Sequence, residues 1–141
     1  MWLKLFLAVL WAAVILVVMC TSDAEAFLYD QILHYELNLS PNFFDLLRYS
    51  DVALTDTFYL IQKSGHMLSF GILYILVFNW LNTHAKALWI CALFAISSEI
   101  IQLFFQRTGR LFDVGIDLIG IFLAYKLTVK ISANKAKSNQ N

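Results

Sequence analysis

Four long apolar runs divide the chain, at residues 2–20, 64–81, 87–105 and 114–129. They are continuous rather than alternating, which predicts helices and argues against the ~10-residue alternating strands of a membrane barrel. A helix needs about 20 residues to cross a hydrocarbon core of ~30 Å. The first three runs meet that length. The fourth is short, and Lys126 near its end must snorkel towards the headgroups. Only helices or closed barrels satisfy every backbone polar group in lipid. The expected fold is therefore all-α, a four-helix transmembrane bundle with an extracytoplasmic loop, residues 21–63, between helices 1 and 2. The first run is read as a retained span. The alternative is a signal peptide with Lys4 as its basic end and Ala24-Glu25-Ala26 as its cleavage site, but the run exceeds the usual apolar length of such a peptide.

Composition agrees with a membrane class. The chain has 141 residues, 60% hydrophobic and only 14% charged, where a soluble domain carries roughly 25% charged residues. Net charge is zero, so the charge balance points to no nucleic-acid partner. Cys20 and Cys91 show no metal-ligand spacing and are expected to be packing residues near opposite membrane faces.

The placement of the charges sets an orientation. Lys4 precedes the first run, Lys86 lies in the short turn after the second, and Lys130, Lys135 and Lys137 follow the fourth. Four crossings put all of these on one side, so the positive-inside tendency gives an N-in/C-in topology. The 21–63 loop holds seven acids, including Asp51, against Arg48 and Lys63. Its apolar positions 43, 46 and 47, followed by Ser50, fit one or two short surface helices or a loop folded over the bundle. His34 and His84 are expected in solvated loops, and Trp89 in the inner aromatic belt.

The connection 106–113 is outward by the same count, yet carries Arg107 and Arg110. This local contradiction of the charge bias calls for acidic partners or an anionic ligand. On this topology Lys63, His66, Glu99, Gln102, Arg107, Arg110, Asp113 and Asp117 share one depth range beneath the outer leaflet. Spacing also places them on single helix stripes: Lys63, His66, Phe70 and Tyr74; Glu99, Gln102 and Gln106; Asp113, Asp117, Gly120 and Ala124. The stripes should converge inside the bundle, because a charge facing lipid costs several kcal/mol. Gly120 and Ala124 form a small-xxx-small pair that lets a neighbouring helix approach closely.

The same residues carry a family resemblance. Lys63-Ser64-Gly65-His66 within residues 62–70, Glu99-Ile100-Ile101-Gln102, and the stretch Arg107-Thr108-Gly109-Arg110 through Asp113 and Asp117 to Gly120 resemble the corresponding segments of VanZ-like membrane proteins. Gln62 stands where that family often has Asp, Phe70 where Tyr is common, and Ile101 where a His often precedes the Gln. The resemblance implies a VanZ-like transmembrane domain over residues 1–130, followed by a polar cytoplasmic tail, 131–141. It implies a multi-pass protein of the bacterial cytoplasmic membrane, in a family named for a component linked to teicoplanin resistance.

Several functions fit this pattern. In the first, the eight polar residues line an outward-facing pocket that binds a polar or anionic envelope component or a glycopeptide-type ligand, with an influence on teicoplanin susceptibility. Partners are then membrane lipids and that ligand, and an oligomer is compatible. No catalytic residue, metal or cofactor is assigned in this reading. In the second, an intramembrane enzyme acts on lipid or lipid-linked phosphate, with His66 as acid or base, Glu99 or Asp117 orienting it, and paired carboxylates able to take Mg²⁺. In the third, the chain is a proton-linked transporter or channel. In the fourth, the cluster is an ion-pair network that only locks helix register.

Overall fold

A computed structural model describes residues 1–48, 55–107 and 109–138; Ser50, Asp51 and Thr108 lie outside them. Among the described residues there are five α-helices and no strand: α1 (Trp2–Met19), α2 (Ala24–Asp30), α3 (Thr57–Leu81), α4 (His84–Leu103) and α5 (Leu111–Ser138). A 3₁₀ turn covers Phe43–Leu47. Helices α1, α3 and α4 are each long and apolar enough to cross a membrane. Helix α5 packs most extensively against α3 and also against α4, while α1 leans on α3.

Local chemistry explains where the helices begin and end. The Asp56 carboxylate accepts a hydrogen bond from the Phe58 amide at 3.0 Å, an N-cap that satisfies an otherwise orphan donor. Helix α3 therefore starts at Thr57, well ahead of the apolar run at 64. Asn82, at φ 51°, closes it in the left-handed conformation that Asn tolerates, and its amide donates to the Phe78 carbonyl. The next helix starts at His84 and stops at Leu103, and Gln106 lies beyond it at φ 54°. Helix α5 does not stop where the apolar run does. It continues to Ser138, with Ile131–Lys135 exposed.

The core is a seam along α3. Phe70, Leu73, Tyr74 and Val77 are buried against Cys91 and Ala95 of α4, Val114, Ile121 and Ala124 of α5, and Ile15 and Met19 of α1. Cys20 and Cys91 are both free and buried. The α3–α5 contact is close because neither helix has bulk there. A Cβ on Gly120 would collide with the Met67 carbonyl, and one on Gly71 would stand 3.3 Å from the Gly120 oxygen. This is the approach expected of the Gly120/Ala124 pair. Trp11 ties α1 to α3 through Nε1 donating to the Ser69 carbonyl at 3.0 Å.

Large apolar side chains cover the outside. Trp89, Leu93, Ile119, Phe122 and Leu123 are all exposed. Helices that are apolar on their outward faces as well as their packed ones suit contact with lipid. The described part of the 21–63 loop folds over one end of the bundle. The Asn38 amide donates to the Phe104 carbonyl at 2.7 Å, the Ser22 hydroxyl donates to the Phe105 carbonyl at 2.8 Å, and Tyr35 and Phe43 make edge contacts with Phe105 and Phe104. At the opposite end His84 is not a solvated loop residue. Its ring stacks on Phe78 at 4.1 Å and bonds the Tyr74 hydroxyl at 2.7 Å. His34 is exposed and pairs with Glu36.

Candidate functional site

The loop-covered end of the bundle gathers polar side chains from three helices and the α4–α5 connection. Helical spacing puts Lys63 and His66 on the buried stripe of α3, Glu99 and Gln102 on that of α4, and Asp113 and Asp117 on that of α5. Glu99 and Asp117 are fully buried. Each contact crosses between elements. Lys63 Nζ meets Asp113 Oδ2 at 2.6 Å, linking α3 to α5. His66 Nδ1 lies 3.4 Å from Asp117 Oδ1, without forming a hydrogen bond.

Glu99 is held on both sides. One oxygen accepts from Gln102 Nε2 at 3.1 Å and the other from the Arg110 backbone amide at 2.8 Å. The α4–α5 connection makes this possible by folding tightly back on α4. The Arg107 amide donates to the Gln102 carbonyl at 3.1 Å, and a Cβ on Gly109 would collide with the Glu99 carbonyl. Gly109 is thus required for close backbone approach, a role that spacing alone did not reveal.

The expected stripes hold with one exception. Gln106 lies outside α4 and is exposed, so it does not extend the Glu99–Gln102 face. Arg110 is buried at the foot of α5, and Arg107 is half-buried. Burial pushes the Arg107 guanidinium below its ordinary range, while the carboxylates of Glu99 and Asp113 pull it back up.

A cavity of ≈ 200 Å³ adjoins this cluster, between the end of α1, helix α2 and the first half of α3. Its walls are mostly apolar, with Met19, Phe27 and Phe58 among them, and His66 and Arg107 also line it. The apolar cluster Phe27-Leu28-Tyr29 is visible in the sequence, but its partners are remote along the chain. Inside the cluster, ligand atoms of His66, Glu99 and Asp117 all lie within 4.8 Å of one another.

The chain is matched by the VanZ/LLP1 family model over residues 4–132. It is similar to the uncharacterized membrane protein YwnJ of Bacillus subtilis (strain 168), 32% identical over 125 residues that cover 89% of each chain. No solved structure matches it. With apolar helices fit for lipid, a buried polar cluster gathered from α3, α4 and α5 and a match over nearly its whole length, this membrane protein belongs to the VanZ/LLP1 family.

Proposed function

We propose that the chain is a multi-pass protein of the bacterial cytoplasmic membrane, N-in/C-in, that binds an anionic lipid-type envelope component at its outer end. One observation carries this reading: an apolar cavity with Arg107 and His66 in its lining. Apolar walls suit part of an acyl or prenyl chain, and a guanidinium suits phosphate or carboxylate through planar, charge-assisted hydrogen bonds. Arg107 then has a reason to stand on the outer side against the charge bias of the chain.

Size argues for a lipid over a whole glycopeptide. Drug-sized ligands occupy pockets of roughly 300–1,000 Å³, and this cavity offers ≈ 200 Å³. An effect on teicoplanin susceptibility would then be indirect, through the envelope component bound. Residues 1–130 form the membrane domain in this reading, with 131–141 as a cytoplasmic extension.

Binding of phosphatidic acid and phosphatidylcholine to the purified full-length chain, read by native mass spectrometry, tests the proposal. The wild type should retain phosphatidic acid in preference, and Arg107→Ala should lose that preference while keeping its fold. Equal retention of both lipids by the wild type overturns it.

The convergence of His66, Glu99 and Asp117 favours a second reading, an intramembrane enzyme acting on lipid-linked phosphate. Release of inorganic phosphate from a lipid phosphate by the wild type, and its loss in His66→Gln, would establish it.

A further inference from the structure

We infer that His66, Glu99 and Asp117 form a three-ligand site for a first-row divalent cation. The three side chains come from α3, α4 and α5, and each is buried. Their ligand atoms lie within 4.8 Å of one another. A metal with bonds of about 2.0–2.2 Å brings its ligands to about 3–3.5 Å of each other, so small side-chain rotations close the set.

The unsatisfied atoms point the same way. Asp117 is fully buried, yet neither of its carboxylate oxygens has a hydrogen-bond partner among the described residues. His66 Nδ1 is equally unpartnered, 3.4 Å away. Buried polar atoms are nearly always paired, and a bare carboxylate beside a bare imidazole nitrogen needs a physical reason. A shared cation supplies one.

Nearby groups leave the set available. Lys63 is taken up by Asp113 at 2.6 Å. The amides of Gln102 and Arg110 hold Glu99 from either side. Such outer contacts orient a metal ligand and leave its remaining lone pairs open. One imidazole and two carboxylates, without thiolate, suit zinc, manganese, iron or cobalt. Three protein ligands leave coordination positions open, and His66 also borders the cavity, which provides an entry path. The ion site is independent of what the cavity binds.

Cobalt(II) titration of the full-length, chelator-stripped protein in detergent tests this. The wild type should bind one equivalent saturably, with a visible ligand-field band. Asp117→Asn and His66→Gln should each weaken binding by at least about 100-fold, whereas His34→Ala, at the exposed His34–Glu36 pair, should leave it unchanged. Circular dichroism of each variant without metal establishes that it is folded, and two variants guard against the loss of either. Absence of saturable binding by the wild type, or wild-type affinity in both folded variants, overturns the site. Phosphatidic acid binding measured on the same samples separates the two proposals: lipid preference without cobalt binding overturns the ion site alone, and cobalt binding without lipid preference supports it while the lipid reading falls.

Discussion

Lys63 and Asp113 face each other across the α3–α5 interface at 2.6 Å, with 11% and 3% of their side chains exposed. Removing one partner of such a pair strands a charge in a poorly solvating environment, which costs about 3–5 kcal/mol. Replacing both with apolar residues strands nothing. Asp113→Ala should therefore destabilise the bundle strongly, and Lys63→Met combined with Asp113→Leu should recover most of the loss. Reversible unfolding in mixed micelles measures both, and a double variant no better than the single one refutes the account.

Gly120 makes a different claim, about space. Its α-carbon hydrogen points at the Met67 carbonyl, where a Cβ has no room. Gly115, a little over one turn earlier on α5, has nothing within 4 Å of a Cβ. Gly115→Ala should be neutral or stabilise by about 0.5–1 kcal/mol, through helix preference alone. Gly120→Ala should lower stability, because it forces α5 away from α3 and disturbs the Lys63–Asp113 pair as well. Equal thermal stability of the two variants would show that the helices are not pinned at this contact.

The helices and the polar stripes could be read from sequence because both obey a period. Lys63, His66, Phe70 and Tyr74 repeat at three or four residues, and that repeat survives whatever the helices pack against. The ends of elements were less legible. Asp56 extends α3 back to Thr57 by capping, outside the apolar run, and α5 runs on through its polar residues to Ser138. Gln106 kept the spacing of its stripe but lost the helix, since the chain turns at φ 54° there. His84 reads as a loop residue along the chain because its partners, Tyr74, Phe78 and Tyr125, come from two other helices. The cavity was invisible for the same reason. Its walls belong to α1, α2, α3 and the α4–α5 connection, and no local pattern records that they meet.

Tyr74 and His84 form a further polar contact between helices, at the end away from the carboxylates. The fully buried phenol bonds His84 Nδ1 at 2.7 Å, and the imidazole lies flat on Phe78 at 4.1 Å. Tyr74→Phe removes one hydrogen bond and leaves the stack, so it should cost about 0.5–1.5 kcal/mol. His84→Ala removes both and should cost more. The comparison of the two unfolding midpoints decides whether the ring stack contributes beyond the hydrogen bond.

The number of membrane crossings turns on helix α5. In helix α5, Asp113, Asp117 and Lys126 interrupt the apolar stretch. The two acids are buried against neighbouring helices and never meet lipid. The face left outside carries Leu118, Ile119, Phe122 and Leu123. Lys126 lies 5.2 Å from the Phe122 ring, and its long stem can carry the ammonium towards the headgroups. Over its 28 residues α5 is about 42 Å long, more than the ~30 Å needed. It should therefore cross, placing Lys130, Lys135 and Lys137 on the side of Lys4. In a background where Cys20 and Cys91 are replaced by Ala, Ser40→Cys should react with an impermeant maleimide in intact cells, and Asn134→Cys only after lysis. Reaction of both in intact cells would mean three crossings, with α5 outside the membrane, and would overturn this topology.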